Sequence, residues 1–172
     1  MDASEYKEYI FGMLFLKRAS DIFEAKREEL RKKYKSQGFS ENEISELIED
    51  PNSYGVTFFV PERARWDNII NLKEDVGNHL NKALAALEES NPELEVVLKH
   101  IDFNAEKGKT RLKDQQLIDL IHHFNKYKLI NENFEFPDLL GAAYEYLLKE
   151  FADSAGKKGG VLYTRKGQTV DG

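Results

Sequence analysis

Few residues in this chain have the types and spacing that catalysis or metal binding requires. His122 and His123 are adjacent. Neighbours on a helix point about 100° apart, so the two imidazoles do not form the one-face pair that an i,i+4 zinc motif supplies. One semi-buried and one solvated imidazole is the expected outcome. His79 and His100 have no carboxylate at a spacing that suggests a triad or a facial ligand set. The Asp and Glu residues fall mostly on helical faces as solvated charge, with no acid pair singled out. The chain has no cysteine, which removes thiolate metal sites, iron-sulfur clusters, disulfides and a thiol nucleophile. No catalytic residue and no metal ligand is therefore assigned.

Phosphate chemistry has two candidate locations. There is no G-x-x-x-x-G-K sequence and no G-x-G-x-x-G turn, and Gly159-Gly160 alone makes no cradle. Basic residues stand beside an aromatic at Arg63, Arg65 and Trp66, and a denser run holds Lys107, Lys109, Arg111 and Lys113. All six cations are candidates for DNA-phosphate contact. The competing reading makes Trp66 a core residue flanked by solvated charges, and makes 107–113 an exposed loop. A net charge of -6 argues against a free-standing nucleic-acid binder, because such proteins gather excess Lys and Arg to displace counterions.

These residues must be positioned by helices. From residue 4 to 35 no proline interrupts a helical rhythm that includes Tyr6, Ile10, Met13 and Leu14. Its first half, Tyr9 to Leu16, is apolar all round and reads as core, whereas Glu24 to Lys35 is charge-rich and reads as solvated. Gly38 ends it, and Ser40 with Glu43 forms a capping-box signature ahead of Ile44, Leu47 and Ile48, with Pro51 as the stop. Tyr54 to Val60 is extended, as one edge strand or a packed loop. Pro61 is suited to open the next helix. Glu62 to Glu89 is helical with a break near Leu72, and Asn91-Pro92 ends that run. A loop over 101–109 precedes a helix from Asp114 to Lys128, and a last helix runs from Asp138 to about Ala155.

The expected fold class is all-α: a single multi-helix domain over 1–155 with a long N-terminal helix, at most one short edge strand, and a flexible tail over 156–172. Ile10, Met13, Leu14, Trp66, Leu80, Leu84, Leu117, Ile121, Leu140, Tyr144 and Leu147 should share one core. A chain of 172 residues buries enough surface to fold without staples. The longest apolar run, Tyr9 to Leu16, is far short of the roughly 20 residues a bilayer requires, and the N-terminus lacks a basic leader. With no cysteine, a cytoplasmic setting and no membrane partner are expected.

Several segments in fixed order resemble the N-terminal region of the methylation subunit of type I restriction-modification enzymes. They are YKEYIFGMLFLKRASDIFE, VTFFVPERARWDNI, LNKALAALEESNPEL, IDFNA and DLLGAAYEYLLKEFADSAGKKGG, together spanning Tyr6 to Gly160. The resemblance implies a helical domain that precedes the catalytic domain and helps two methylation subunits and a specificity subunit enclose DNA. It also implies an S-adenosylmethionine-dependent catalytic domain that methylates the adenine amino group and lies further along than this sequence extends. That domain's hallmark is Asn or Asp, two prolines and an aromatic residue around a flipped adenine. Pro51, Pro61, Pro92 and Pro137 are never adjacent, so the hallmark is not here. The family's glycine pair leads into a segment like E-F-Y-T-P-R that helps bind the methyl donor. Here Tyr163 and Thr164 match, while Val161, Leu162 and Arg165 depart from it, which leaves a degenerate remnant, and Lys166 to Gly172 no longer resembles the family. No cofactor is expected on this chain, and S-adenosylmethionine is implied for the full-length subunit.

The function these readings imply is the assembly and DNA-clamping domain of a type I DNA adenine methyltransferase subunit, without its catalytic domain. Its implied partners are the specificity subunit, a second methylation subunit, and DNA through the complex. The alternative is a stand-alone helical interaction module, or a truncated relic, that binds type I subunits. A hydrolase using helix-borne carboxylates is the third reading.

Overall fold

The computed structural model of the protein describes residues 7–105 and 111–130. Six α-helices order the described chain: α1 Lys7–Ser36, α2 Glu41–Leu47, α3 Trp66–Ile69, α4 Val76–Ser90, α5 Glu95–Leu98 and α6 Asp114–Phe124. Short 3-10 turns at Pro51–Tyr54, Glu62–Ala64 and Pro92–Leu94 link them, and the described residues contain no strand. The all-α expectation holds.

Helix α1 ends as its sequence predicts. Gly38 adopts φ 89°, its N–H donates to Lys35 O, and Phe39 N–H reaches back to Tyr34 O, which together close a Schellman motif. The rings of Tyr34 and Phe39 meet edge to face at 5.5 Å, supplying the apolar contact that accompanies this cap. Helix α2 then starts on the predicted capping box, with Glu43 N–H donating to Ser40 Oγ at 3.2 Å and Ser40 N–H to Glu43 Oε1 at 2.9 Å. The hydrogen bonds from Ser40 hold the Glu43 carboxyl below its usual range.

The stretch from Tyr54 to Val60 is a packed loop with no strand. The side-chain amide of buried Asn91 explains why no neighbouring strand is needed. Its Oδ1 accepts from Phe59 N–H at 3.2 Å, and its Nδ2 donates to Phe59 O at 2.8 Å. One side chain thus satisfies both backbone groups that a ladder would otherwise pair. Tyr54 is buried, its ring stacks on Phe23 at 4.8 Å, and its hydroxyl donates to Ile48 O. Burial pushes that phenol up to about 12.

The predicted break near Leu72 is real: α3 stops at Ile69, and Asp75 enters α4 in the left-handed region with φ 51°. The core is one cluster that includes Ile10, Met13, Leu14, Trp66, Leu80, Leu84, Leu117 and Ile121, as expected. Leu140, Tyr144, Leu147, the helix expected from Asp138 to Ala155, and the tail lie outside the described residues.

Two expectations for α1 need correction. Its first half is not buried all round, because Phe11 is 41% exposed. Its charge-rich half is not wholly solvated, because Leu30 is buried. No helix among the described residues is long and apolar enough to cross a membrane.

Candidate functional site

The histidines divide as their adjacency predicts, His122 exposed and His123 half-buried. Burial, and after it the charge of Lys126, holds the His123 imidazole below the ordinary histidine value. His79 and His100 are exposed. Among the described residues no three His, Asp or Glu side chains gather as a metal-binding group.

Arg63 and Arg65 are two positions apart in sequence yet do different things. Arg63 is exposed and lines an open cleft with Glu62, Asn68 and His79. The side chain of Arg65, expected to be solvated, is only 13% exposed. Its Nε donates to Val60 O at 2.9 Å, one terminal nitrogen lies 3.0 Å from Glu49 Oε1, and its guanidinium packs over the rings of Phe23 and Phe59. Partial burial pushes the Glu49 carboxyl upward. Hydrogen bonds and charge from Arg65 and Arg27 outweigh that effect together and hold it below its usual range. The guanidinium of Arg65 therefore joins the 54–60 loop to the rest of the fold. Trp66 is core, as the competing reading has it, at 6% exposure.

In the basic run, Arg111 and Lys113 are exposed, while Lys107 and Lys109 lie outside the described residues. Both ends of the run are fixed to the first two turns of α4. On the upstream side, Asn81 donates to Asp102 Oδ1 at 2.8 Å and accepts from Phe103 N–H at 2.8 Å. Phe103 is fully buried, and Tyr9 Oη donates to Ala105 O from α1. The Ile101–Ala105 stretch comes so near the helices that a Cβ on Gly12 would stand 2.8 Å from both Ile101 Cγ2 and Phe103 Cζ. A Cβ on Gly77 would run into the Asn104 amide oxygen. On the downstream side, Asp114 accepts from Asp75 N–H at 3.0 Å and Val76 N–H at 2.9 Å. The first amides of α4 are thus capped by a residue 38 positions later. Asp102 and Asp114, which stand at the two ends of the basic run, direct their carboxylates at these internal donors.

A second polar assembly lies where the described chain ends, and sequence reasoning missed it. Lys17 is 4% exposed on α1 and pairs with Asp21 at 2.5 Å. The same Asp21 oxygen accepts Leu129 N–H at 2.8 Å, and Arg18 donates to Leu129 O at 2.8 Å. One turn along, Ser20 Oγ accepts Trp66 N–H at 2.7 Å, and the Trp66 indole donates to Asn125 Oδ1 at 2.9 Å. These contacts explain why α6 stops at Phe124 and not at Lys128. The Leu129 backbone groups that a helix would pair internally are held by α1 instead. The available signal was the Lys17/Asp21 offset of four, a helical ion-pair spacing directly after the apolar run Tyr9 to Leu16.

The described residues make an all-helical domain, and they supply no sheet edge of the kind at which open α/β folds hold nucleotide-like ligands. Tyr163 and Thr164 lie outside them. The chain belongs to the HsdM N-terminal domain family, which it matches over residues 1–124, so the resemblance to type I methylation subunits is borne out. A second match, to the N-6 DNA methylase family, covers residues 135–168. It begins inside the stretch that sequence reading gave to the helical domain, and it runs past Arg165, where that reading saw the family pattern end. Among curated relatives, the type I restriction enzyme MjaIX methylase subunit of Methanocaldococcus jannaschii is 28% identical over 98% of this chain. The chain spans 31% of that relative's length.

Proposed function

We propose that this chain is the assembly and DNA-clamping part of a type I DNA adenine methyltransferase subunit. It would act in the cytoplasm with a specificity subunit and a second methylation subunit, and would reach DNA through the complex. The observation that carries the reading is the order of the two family matches: a helical domain over 1–124 followed by a methylase match from 135. Methyl transfer and S-adenosylmethionine binding belong, on this reading, to the methylase portion of the complete subunit. The helical part contributes geometry.

The frame on α4 supports a contact with phosphate. An acidic protein repels DNA only within about a Debye length, roughly 8 Å at physiological salt, so a local basic run can still touch the backbone. Lys107, Lys109, Arg111 and Lys113 are the proposed contacts, with Arg63 as a further exposed cation. Partner subunits would raise the effective concentration of this weak contact.

The test is co-purification of the chain with a type I specificity subunit, followed by DNA protection assays on the recovered complex. A complex that protects its DNA site supports the clamping role. Failure to recover any complex overturns the reading, and a complex that blocks methylation by the intact subunit favours a competing interaction module.

A further inference from the structure

Residues 125–130 lie between the helical family match, which ends at 124, and the methylase match, which begins at 135. Beyond the backbone bonds that close α6, Asn125 is held by Trp66, and Leu129 by α1. The anchoring is costly to arrange. Lys17 is almost fully buried, and a buried charge is tolerated only with a partner that is itself well placed. Asp21 is that partner, and it spends the same oxygen on Leu129 N–H. Arg18 takes the carbonyl of the same residue, so both backbone groups of Leu129 are bound by side chains one turn apart on α1. Around this point a polar cleft of about 420 Å³ opens between α1 and the connecting segment, bordered by Glu24, Asp67, Lys126 and Lys128. The segment therefore crosses a partly open, solvated surface, where these directional hydrogen bonds act beside the packing of buried Leu129 and half-buried Tyr127.

We propose that Asp21 and Arg18 are positioning residues that fix the direction in which the chain leaves the helical domain for its methylase portion, so that the two move as one unit when the complex closes on DNA. This rests on the function proposed above, in that the methylase portion is taken to follow. Neither residue touches substrate. Their role is to hold Leu129, and with it the connecting segment, at one place on α1. A connection without the clamp would let the methylase portion sample many orientations, and the productive one would be populated only in part.

The local test uses limited trypsin digestion of the full chain, reading cleavage after the exposed Lys126 and Lys128. Arg18→Ala removes the hydrogen bond to Leu129 O and leaves the Lys17–Asp21 pair in place. The double variant Lys17→Met/Asp21→Ala removes the ion pair together with the Leu129 acceptor and avoids leaving Lys17 unpaired. A charge-assisted hydrogen bond is worth about tenfold or more in an equilibrium, and proteolysis follows the open population when opening is fast. Cleavage after Lys128 should therefore rise about tenfold in each variant, while cleavage after the exposed Lys32 and Lys35 on α1 stays as in the parent. Parental cleavage rates at Lys128 would overturn the clamp itself.

The second readout is methylation by a complex assembled with the complete subunit. The variants should raise KM for DNA about tenfold and leave kcat at saturating DNA within about twofold, because uniform binding is lost while the chemistry is intact. Arg18→Lys, which keeps a donor, should recover part of the loss. Faster cleavage with parental KM would show that the clamp is only local structure and would overturn the positioning role. A parental complex that needs no helical domain for methylation would instead overturn the function proposed above, whatever the clamp does.

Discussion

Asp114 caps helix α4 from a distance, its Oδ1 accepting the N–H of Val76 at 2.9 Å. Asp75, the residue at the usual capping position, turns left-handed and makes no side-chain cap of its own. The α4 N-terminus and the α6 N-terminus are thereby tied at one carboxylate. Asp114→Ala should cost about 1–2 kcal/mol, as loss of an N-cap acceptor does, with Asp114→Asn costing less because an amide oxygen still accepts. Urea unfolding checks both, and a parental midpoint for Asp114→Ala would show that water replaces the cap.

Gly77→Ala should destabilise by about 1–3 kcal/mol, the usual range for overpacking, because the added methyl meets the Asn104 side chain and stands 3.2 Å from Phe103 O. Asn104→Ala in the same chain should relieve part of that cost. Thermal unfolding of the two single variants and the double variant gives the coupling, and strict additivity would mean that the crowding is absent in solution.

The two neighbouring arginines should separate cleanly. Arg65→Ala removes two hydrogen bonds and the stacking on Phe23 and Phe59, and should cost about 1–3 kcal/mol. Arg63→Ala, on the open surface, should stay within about 0.5 kcal/mol of the parent. Equal melting temperatures for the two variants would contradict the packing role of Arg65.

Stability should fall on mild acidification in a way that depends on His123. Its folded pKa lies below the ordinary 6.5, so in the window just below 6.5 the unfolded chain binds a proton that the folded chain does not. Stability therefore rises with pH across that window and is fully present above it. Glu49, also lowered, loses its contribution only further down, as pH falls below 4.5. His123→Asn should flatten the change in melting temperature between pH 7 and pH 5.5, and an unchanged pH slope would reject the assignment.

Changing Lys107, Lys109, Arg111 and Lys113 to glutamate should weaken DNA binding by the assembled complex. Two or three phosphates neutralised correspond to a log-log salt slope of roughly -2 to -3, and that contribution should disappear from the complex. The melting temperature of the chain should barely move. Parental binding and methylation across a salt series would make the run a solvated connector.

Sequence and structure agree where the signal is local. The Schellman turn at Gly38, the Ser40/Glu43 box and the break before Asp75 each follow from residues within a few positions of one another, as does the core stripe of Leu80, Leu84 and Leu87. What sequence reading missed depends on partners far along the chain. Asn91 standing in for a strand beside Phe59, Asp114 capping α4, and Asp21 holding Leu129 are separated by 32, 38 and 108 positions. A polar side chain on a helix looks like ordinary surface until its distant acceptor or donor is known. Arg65 reads as solvated for that reason, yet its side chain is only 13% exposed.

The frame that Asn81 and Asp114 make on α4 also bears on how this region tolerates change in length. Closing a loop costs entropy that grows only with the logarithm of its length, about 0.6 kcal/mol for each doubling. When both ends are already held by the same rigid helix, the separation to be spanned is set by α4 and not by the loop. Residues between Ala105 and Arg111 can then be added or removed at little cost to the helices beneath. A short peptide inserted there should leave the fold standing.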